Sequence, residues 1–239
     1  MALIQLNKVS RVYEMGETSI QALADINLDI EQQTFVSFVG PSGSGKTTLL
    51  NLIGCLDKPS TGEIEVNGVR VNEFNRKDAA VFRGTNIGFI FQNFNLLPVL
   101  TVYENVEYPL IMVQSIAEKE RHKRVLKYLE AVSMTDQKDK YPSQISGGQK
   151  QRVAVARALV TDPKLVLADE PTANLDHKSA FKVIELMRQM QRELKTTFIF
   201  STHDPKIVKE AEIIYTLEDG RLVNKELVTD PDNQAKDKH

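Results

Sequence analysis

The run Gly40-Pro41-Ser42-Gly43-Ser44-Gly45-Lys46-Thr47 has the residue types and spacing of a phosphate-binding loop. It follows the apolar run Thr34-Phe35-Val36-Ser37-Phe38-Val39, which reads as a buried strand. It opens onto Thr48-Leu49-Leu50-Asn51-Leu52-Ile53, which reads as a helix. Glycines allow the positive φ angles that let a backbone wrap closely around an anion. The loop N–H groups then form a nest, and the positive end of the helix dipole adds to it. Lys46 offers a point charge to the outer phosphates, and the Thr47 hydroxyl is a hard oxygen ligand suited to Mg²⁺. The bland alternative is a glycine-rich turn that happens to hold a lysine. Strand, spacing, Lys and Thr together favour a nucleoside triphosphate, while leaving open what its energy drives.

A second constellation is Leu165-Val166-Leu167-Ala168-Asp169-Glu170. An apolar strand here delivers two carboxylates to its C-terminal end, where open α/β sheets bind ligands. Asp169 suits Mg²⁺, directly or through water, and Glu170 suits activation of a water for attack on the γ-phosphate. An Asp-Glu pair opening a loop is common by itself and gains meaning beside a phosphate loop. The third signal is Ile145-Ser146-Gly147-Gly148-Gln149-Lys150-Gln151-Arg152. Ser146 and Gln149 form a capping box, which predicts a helix from here to about Val160, before Asp162-Pro163. Its bare glycine turn is a second anion site in a chain that needs only one for its own nucleotide.

The elements that must hold these residues follow from the pattern. Leu3-Ile4-Gln5-Leu6 and Ile26-Asn27-Leu28-Asp29-Ile30 alternate as strands, with Arg11 to Gly16 between them. With Glu63 to Val69 and its Asn67-Gly68 turn, they predict a small antiparallel sheet beside the nucleotide. Ile87 to Phe91 is a further strand, ending at Gln92. Residues of about 93–160 read as a helical insert, with an amphipathic helix over Ala117 to Val132. The mixed-sign charges of that helix read as a solvated face. Leu165 to Ala168, a helix from Asp176 to Leu194, and Phe198-Ile199-Phe200 form a βαβ unit and a parallel sheet. Ile213 to Leu217 and Arg221 to Val223 close the chain as a hairpin around Asp219-Gly220, before a polar, frayed tail from Thr229.

The bulk properties bound the function. The chain has 239 residues, 41% hydrophobic and 26% charged, enough for one large domain with an insert. A formal net charge of −2 weighs against a protein that coats nucleic acid. One cysteine, Cys55, rules out an intrachain disulfide and suits a reducing compartment. No basic segment followed by an apolar core marks a secretory leader, and no apolar stretch approaches the ~20 residues that span a bilayer. Any role at a membrane is therefore expected to pass through a partner.

Taken in order, these motifs resemble the nucleotide-binding subunit of an ATP-binding cassette (ABC) transporter. The resemblance covers about residues 2–228, and residues 1–228 are read as one ATPase domain with a helical subdomain at about 93–160, followed by a polar 229–239 tail. It rests on the loop at 40–47, a glutamine loop at Gln92, the signature at 145–149 and the acidic strand at 165–170. It includes Ala173-Asn174-Leu175-Asp176 and a switch histidine in Ser201-Thr202-His203-Asp204. One departure is Ile145 where the family has Leu, an apolar exchange. The implied fold is the α/β P-loop ABC-ATPase: a mainly parallel core sheet with helices, an N-terminal antiparallel β subdomain, and a helical insert carrying the signature.

The resemblance implies ATP and Mg²⁺ as ligands. Gly40, Pro41, Ser42, Gly43, Ser44, Gly45, Lys46, Thr47 and Thr48 would bind the phosphates. Two copies would sandwich two ATP molecules, with Ser146, Gly147, Gly148 and Gln149 of one copy facing the γ-phosphate held by the other. Asp176 would lie at the seam. Gln92 and Asp169 would ligate Mg²⁺ with Thr47; Glu170, His203, Lys46 and Gln92 would be catalytic. Tyr13 would stack on adenine; a tyrosine half-buried in the small sheet is the alternative. A guanine-reading motif is absent, since Asn7-Lys8-Val9-Ser10 and Asn224-Lys225-Glu226-Leu227 both lack its Asp.

Gly54 to Gly62, Gly88 to Pro98 and Glu104 to Leu110 resemble the branch with lipoprotein-releasing and macrolide-exporting ATPases. That implies a homodimer on the cytoplasmic face of a membrane, joined to an integral permease, with no nucleic acid expected. The apolar stretch Phe94, Leu96, Leu97, Pro98, Val99 and Leu100 is either an edge for that partner or core of the insert. Two other classes stay open. A soluble cassette ATPase acting on nucleic acid or ribosomes lacks its usual second cassette or long coiled coil here. A small-molecule kinase would leave the signature helix without a task.

Overall fold

The computed structural model describes residues 2–16, 18–114 and 116–228. The polar tail expected at 229–239 lies outside the described residues. In chain order come β1 (Ala2–Met15), β2 (Thr18–Glu31), β3 (Phe35–Val39), α1 (Lys46–Ile53), β4 (Thr61–Val66) and β5 (Val69–Arg70). Then follow α2 (Arg76–Asn86), β6 (Ile87–Phe91), α3 (Val102–Pro109), α4 (Glu118–Ala131) and α5 (Gly147–Leu159). The chain closes with β7 (Leu165–Asp169), α6 (His177–Leu194), β8 (Thr197–Ser201), α7 (Pro205–Val208), β9 (Ile213–Glu218) and β10 (Arg221–Leu227).

Two sheets result. One is antiparallel, in the order β2-β1-β4-β5. The other runs β10-β9-β3-β8-β7-β6, parallel except for the β9/β10 hairpin at its edge. Its central strands are mostly apolar because both faces are covered, with Ser37, Thr197 and Ser201 buried among them. Alternate residues go to opposite sides. On β7, Val166 and Ala168 pack with the helices, whereas Leu165 and Leu167 pack towards the antiparallel sheet and α1. On β8, Phe198 and Phe200 face the helices and Ile199 the other layer. The sheet is thus the wall between two cores, and its C-terminal strand ends converge on the phosphate loop.

The expected strands at 3–6 and 26–30 are parts of two long strands that pair from Ala2↔Glu31 to Met15↔Thr18 with several bulges. Bulges interrupt the alternation, which is why only the regular ends stand out in the sequence. Helix α2 has no clear sequence signal because only Ala79 and Phe82 bury on it. Three helices, α3 to α5, lie between β6 and β7, within the expected helical stretch. Pro109 ends α3, and a π-turn over Leu110–Gln114 follows. Proline lacks the N–H that would continue the regular ladder.

Helix α5 is not confined to the insert. A Cβ on Gly88 of β6 would stand 2.3 Å from the Ala158 carbonyl oxygen, so α5 lies directly on the core sheet. Its buried Val153, Val155, Ala156 and Leu159 belong to the core shared with Val166 and Phe198. The signature at its start is therefore rigidly rooted on the same sheet that carries Asp169.

Candidate active site

The phosphate loop joins β3 to α1. Gly40 has φ 147°, and a Cβ there would lie 2.1 Å from the Leu217 carbonyl oxygen. Gly45 caps α1 with φ 102°, and its Cβ would meet the Ala22 carbonyl at 2.7 Å. Only glycine fits at either point. Lys46 is 8% exposed, and its Nζ donates to the carbonyls of Gly40 and Pro41, both at 2.8 Å. The ammonium is thereby folded across the loop.

Three distant segments meet at Asp169. The Thr47 hydroxyl donates to its two carboxylate oxygens at 2.9 and 3.2 Å. The Ser201 hydroxyl, from the end of β8, donates to Oδ1 at 2.6 Å. That same hydroxyl accepts the Glu170 backbone N–H at 2.9 Å. Glu170 itself has φ 46°, a left-handed conformation that is strained for a residue with a side chain. The bend turns its carboxylate out of the strand direction, and His203 Nδ1 sits 3.0 Å from both of its oxygens. Glu170 is the sheltered member of this pair, with 19% side-chain exposure against 71% for His203. Asp169, Glu170 and His203 are thus brought together from β7, β8 and the loop beyond.

Several of these residues line a cleft of about 700 Å³. Lys46, Thr47, Thr48, Gln92, Glu170 and His203 all contribute to it. Its other wall is Ile20, Gln21 and Ala22 of β2. Tyr13 does not line it directly. It stands on β1 paired with Ile20, and its hydroxyl donates to Asp57 at 2.8 Å. Thr47 and Asp169 supply hard oxygen donors side by side, with the amide of Gln92 on the same cleft. Such a donor set fits Mg²⁺, which takes few protein oxygens and completes its shell with phosphates and water.

The signature occupies a different place. Ser146 caps α5 in a full capping box: the Gln149 N–H donates to its hydroxyl at 3.3 Å, and its own N–H donates to Gln149 Oε1 at 2.8 Å. Ser146, Gly148 and Gln149 line a depression of about 360 Å³ between α4, α5 and α6, and they do not line the large cleft. Asp176 is exposed at the N-cap of α6, where hydrogen bonds from Ser179 hold its carboxyl below the usual range.

Three contributors were not among the expected site residues. Ser201 joins Asp169 to Glu170, as above. Asn174 Nδ2 donates to the Gln92 carbonyl at 3.0 Å and to Asn93 Oδ1 at 2.8 Å. Arg157 of α5 donates to the carbonyls of Phe94 and Asn95, both left-handed residues. The last two tie the Gln92 loop to the segment before Asp176 and to the signature helix. Beyond that loop the apolar stretch divides: Leu96 packs on the core, while Val99 is 79% exposed.

A comparison with known families now decides the identity. The family model for "ABC transporter" matches residues 23–173. The chain belongs to the ABC transporter family. It is an ATP-binding and ATP-hydrolysing subunit of that family. It is 43% identical to the ABC transporter ATP-binding protein MJ0796 of Methanocaldococcus jannaschii over 94% of this chain and 97% of that protein. It is 42% identical to the ABC transporter ATP-binding protein YknY of Bacillus subtilis, over 92% and 95%. A solved dimeric structure of MJ0796 in a post-hydrolysis state with ADP and Pi superposes with a TM-score of 0.87, covering 95% of this chain and 99% of that one at 42% identity. The ABC-ATPase fold expected from the motifs is the fold observed.

Proposed function

We propose that two copies of this ABC ATPase close around two molecules of ATP and Mg²⁺, and that hydrolysis releases them to drive a membrane permease. The observation that carries this reading is the separation of two anion sites within one chain. The cleft holds Lys46, Thr47, Glu170 and His203, and the signature cap lies outside it. A second copy turned head to tail supplies the missing half, as the solved dimer of MJ0796 supports.

In this reading the loop from Gly40 to Thr48 cradles the phosphates, and Lys46 moves from its own carbonyls to phosphate oxygens. Thr47, Asp169 and Gln92 hold Mg²⁺, which when bound neutralises charge on the phosphate oxygens. Glu170 accepts a proton from the attacking water, and His203 orients that carboxylate and contacts the γ-phosphate. Ser146, Gly147, Gly148 and Gln149 of the partner copy bind the same γ-phosphate, and Asp176 lies at the seam. Once the phosphate leaves, the contact shared by both copies is lost.

The exposed edge at Leu97 to Val99 is where a permease segment docks, because it continues directly from the Gln92 loop. Among the described residues no helix is long and apolar enough to cross a membrane, so attachment to the cytoplasmic face runs through that partner. Kinship with ABC transporter ATP-binding proteins favours this over a cassette acting on nucleic acid or ribosomes. The branch with lipoprotein-releasing and macrolide-exporting ATPases remains the best match for the segments at 54–62, 88–98 and 104–110.

The test is Glu170→Gln. Hydrolysis should fall by about 10²–10⁴-fold, the usual worth of a general base. The variant should elute as a dimer with ATP and as a monomer without it. A variant that stays monomeric in ATP and hydrolyses at the normal rate refutes the reading.

A further inference from the structure

The cleft wall formed by β2 ends against a cluster that the phosphate chemistry does not use. Arg11 and Asp57 form a bidentate pair, with Nε and Nη2 donating to the two carboxylate oxygens at 2.8 Å each. Their side chains are only 22% and 24% exposed. The Tyr13 hydroxyl donates to the same carboxylate at 2.8 Å, and the Lys58 backbone N–H donates to it as well. The Arg11 guanidinium also lies over the Tyr13 ring, 4.4 Å from its centroid. One carboxylate therefore gathers four donors, and one tyrosine is held at both its hydroxyl and a ring face. The segment is strapped down next door, where the Val12 N–H donates to Ser60 Oγ at 3.0 Å and the Ser60 N–H to the Ser10 carbonyl at 2.8 Å.

A surface tyrosine does not need this much restraint to fold. On the strand ladder Tyr13 stands opposite Ile20, which lines the nucleotide cleft. We propose that Arg11 and Asp57 are positioning residues that lock the Tyr13 ring as a preformed, one-sided stacking platform for the nucleobase. The inference rests on the ATP-binding reading above and deepens it at the base end of the site. A ring that is already fixed loses no rotamer freedom when a base stacks on it, whereas a free one forfeits about two- to ten-fold in affinity. Because the hydroxyl is spent on Asp57, the ring meets the base by its face. Stacking of that kind accepts any purine.

The experiment measures binding of ADP, which is not turned over, beside inorganic pyrophosphate, which has the phosphates but no base. Titration calorimetry on the full chain compares Asp57→Ala, Tyr13→Phe, the double variant and Tyr13→Ala. Tyr13→Phe keeps the ring and removes only the tether. Asp57→Ala and Tyr13→Phe should each weaken ADP about three- to ten-fold, with pyrophosphate unchanged. The double variant should be no weaker than the worse single one, since both cut the same link. Unchanged pyrophosphate affinity also shows that the phosphate loop is intact.

An Asp57→Ala protein that binds ADP as well as the parent overturns the inference. So does one that loses ADP and pyrophosphate alike, or a double variant whose losses multiply. Tyr13→Ala separates the two levels. If it costs no ADP affinity, base stacking on Tyr13 itself is wrong. If it costs affinity and Asp57→Ala does not, only the tether falls.

Discussion

The large cleft and the signature depression, the two phosphate sites of the proposed function, are made in opposite ways. The cleft is held by bonds between segments far apart in sequence: Thr47 to Asp169, Ser201 to Asp169, and Ser201 to Glu170. The signature is held by bonds within four residues, Ser146 to Gln149 and back. The cleft contains a carboxylate, a histidine and a lysine. The signature contributes a capped helix start and two glycines, with no acid or base of its own. One region carries chemistry without a complete phosphate cage, and the other carries part of a cage without chemistry. That asymmetry is what a site divided between two copies requires.

The strongest way to break this comparison is to disable each half in a different chain. Lys46→Ala removes the loop charge and should cut hydrolysis by about 10²–10³-fold, as loss of a preorganised electrostatic donor does. Gly147→Asp places a like charge at the cap and should cut hydrolysis to a similar degree while leaving nucleotide affinity of the large cleft intact. The site tolerates a Cβ, since one on Gly147 would meet nothing nearer than Leu175 at 3.5 Å. Mixed in equal amounts, the two variants should recover activity, because a heterodimer contains one intact composite site. If the mixture stays as inactive as its components, the divided site is wrong.

A smaller effect sharpens the comparison on the cleft side. Ser201→Ala removes the hydroxyl that bridges Asp169 and the Glu170 N–H and should lower kcat about ten-fold, the worth of one hydrogen bond to a charged group. Nucleotide affinity should change less than kcat, since the phosphate loop is untouched. An unchanged kcat would show that the strained turn at Glu170 is held without Ser201.

The smallest expected effect is chemical. Cys55 lies buried after α1, and burial pushes its thiol up to about 11, with Arg83 pulling weakly the other way. At pH 8 only about one thiol in a thousand is then ionised. Iodoacetamide should leave the folded chain unmodified over hours and label it once denatured. Rapid labelling of the folded protein, with loss of ATPase, would place α1 in a looser core than the one described.

The same contrast explains what was legible beforehand. Helices α5 and α6 begin where Ser146 and Asp176 cap them and end close to their expected limits, because caps and apolar spacing act within a few residues. The roles of Ser201, Asn174, Arg157 and Asp57 were not legible. Each acts by reaching across 32 to 82 positions, and a serine or arginine in isolation carries no mark of its partner. Tyr13 shows the boundary well: the family resemblance implied a stacking ring, but only the packing revealed that its hydroxyl is tied to Asp57.

By itself, the sequence determined the phosphate loop, the acidic strand end, the capped signature helix and the parallel sheet beneath them. These are set by glycine conformations, side-chain capping and the period of apolar residues, all local properties of the chain. The tertiary structure alone decided that Asp169 is shared by Thr47 and Ser201, that Glu170 faces His203, and that the signature lines a depression separate from the cleft. Those outcomes depend on which strands lie side by side in one sheet, and neighbouring strands in a parallel sheet come from distant parts of the chain.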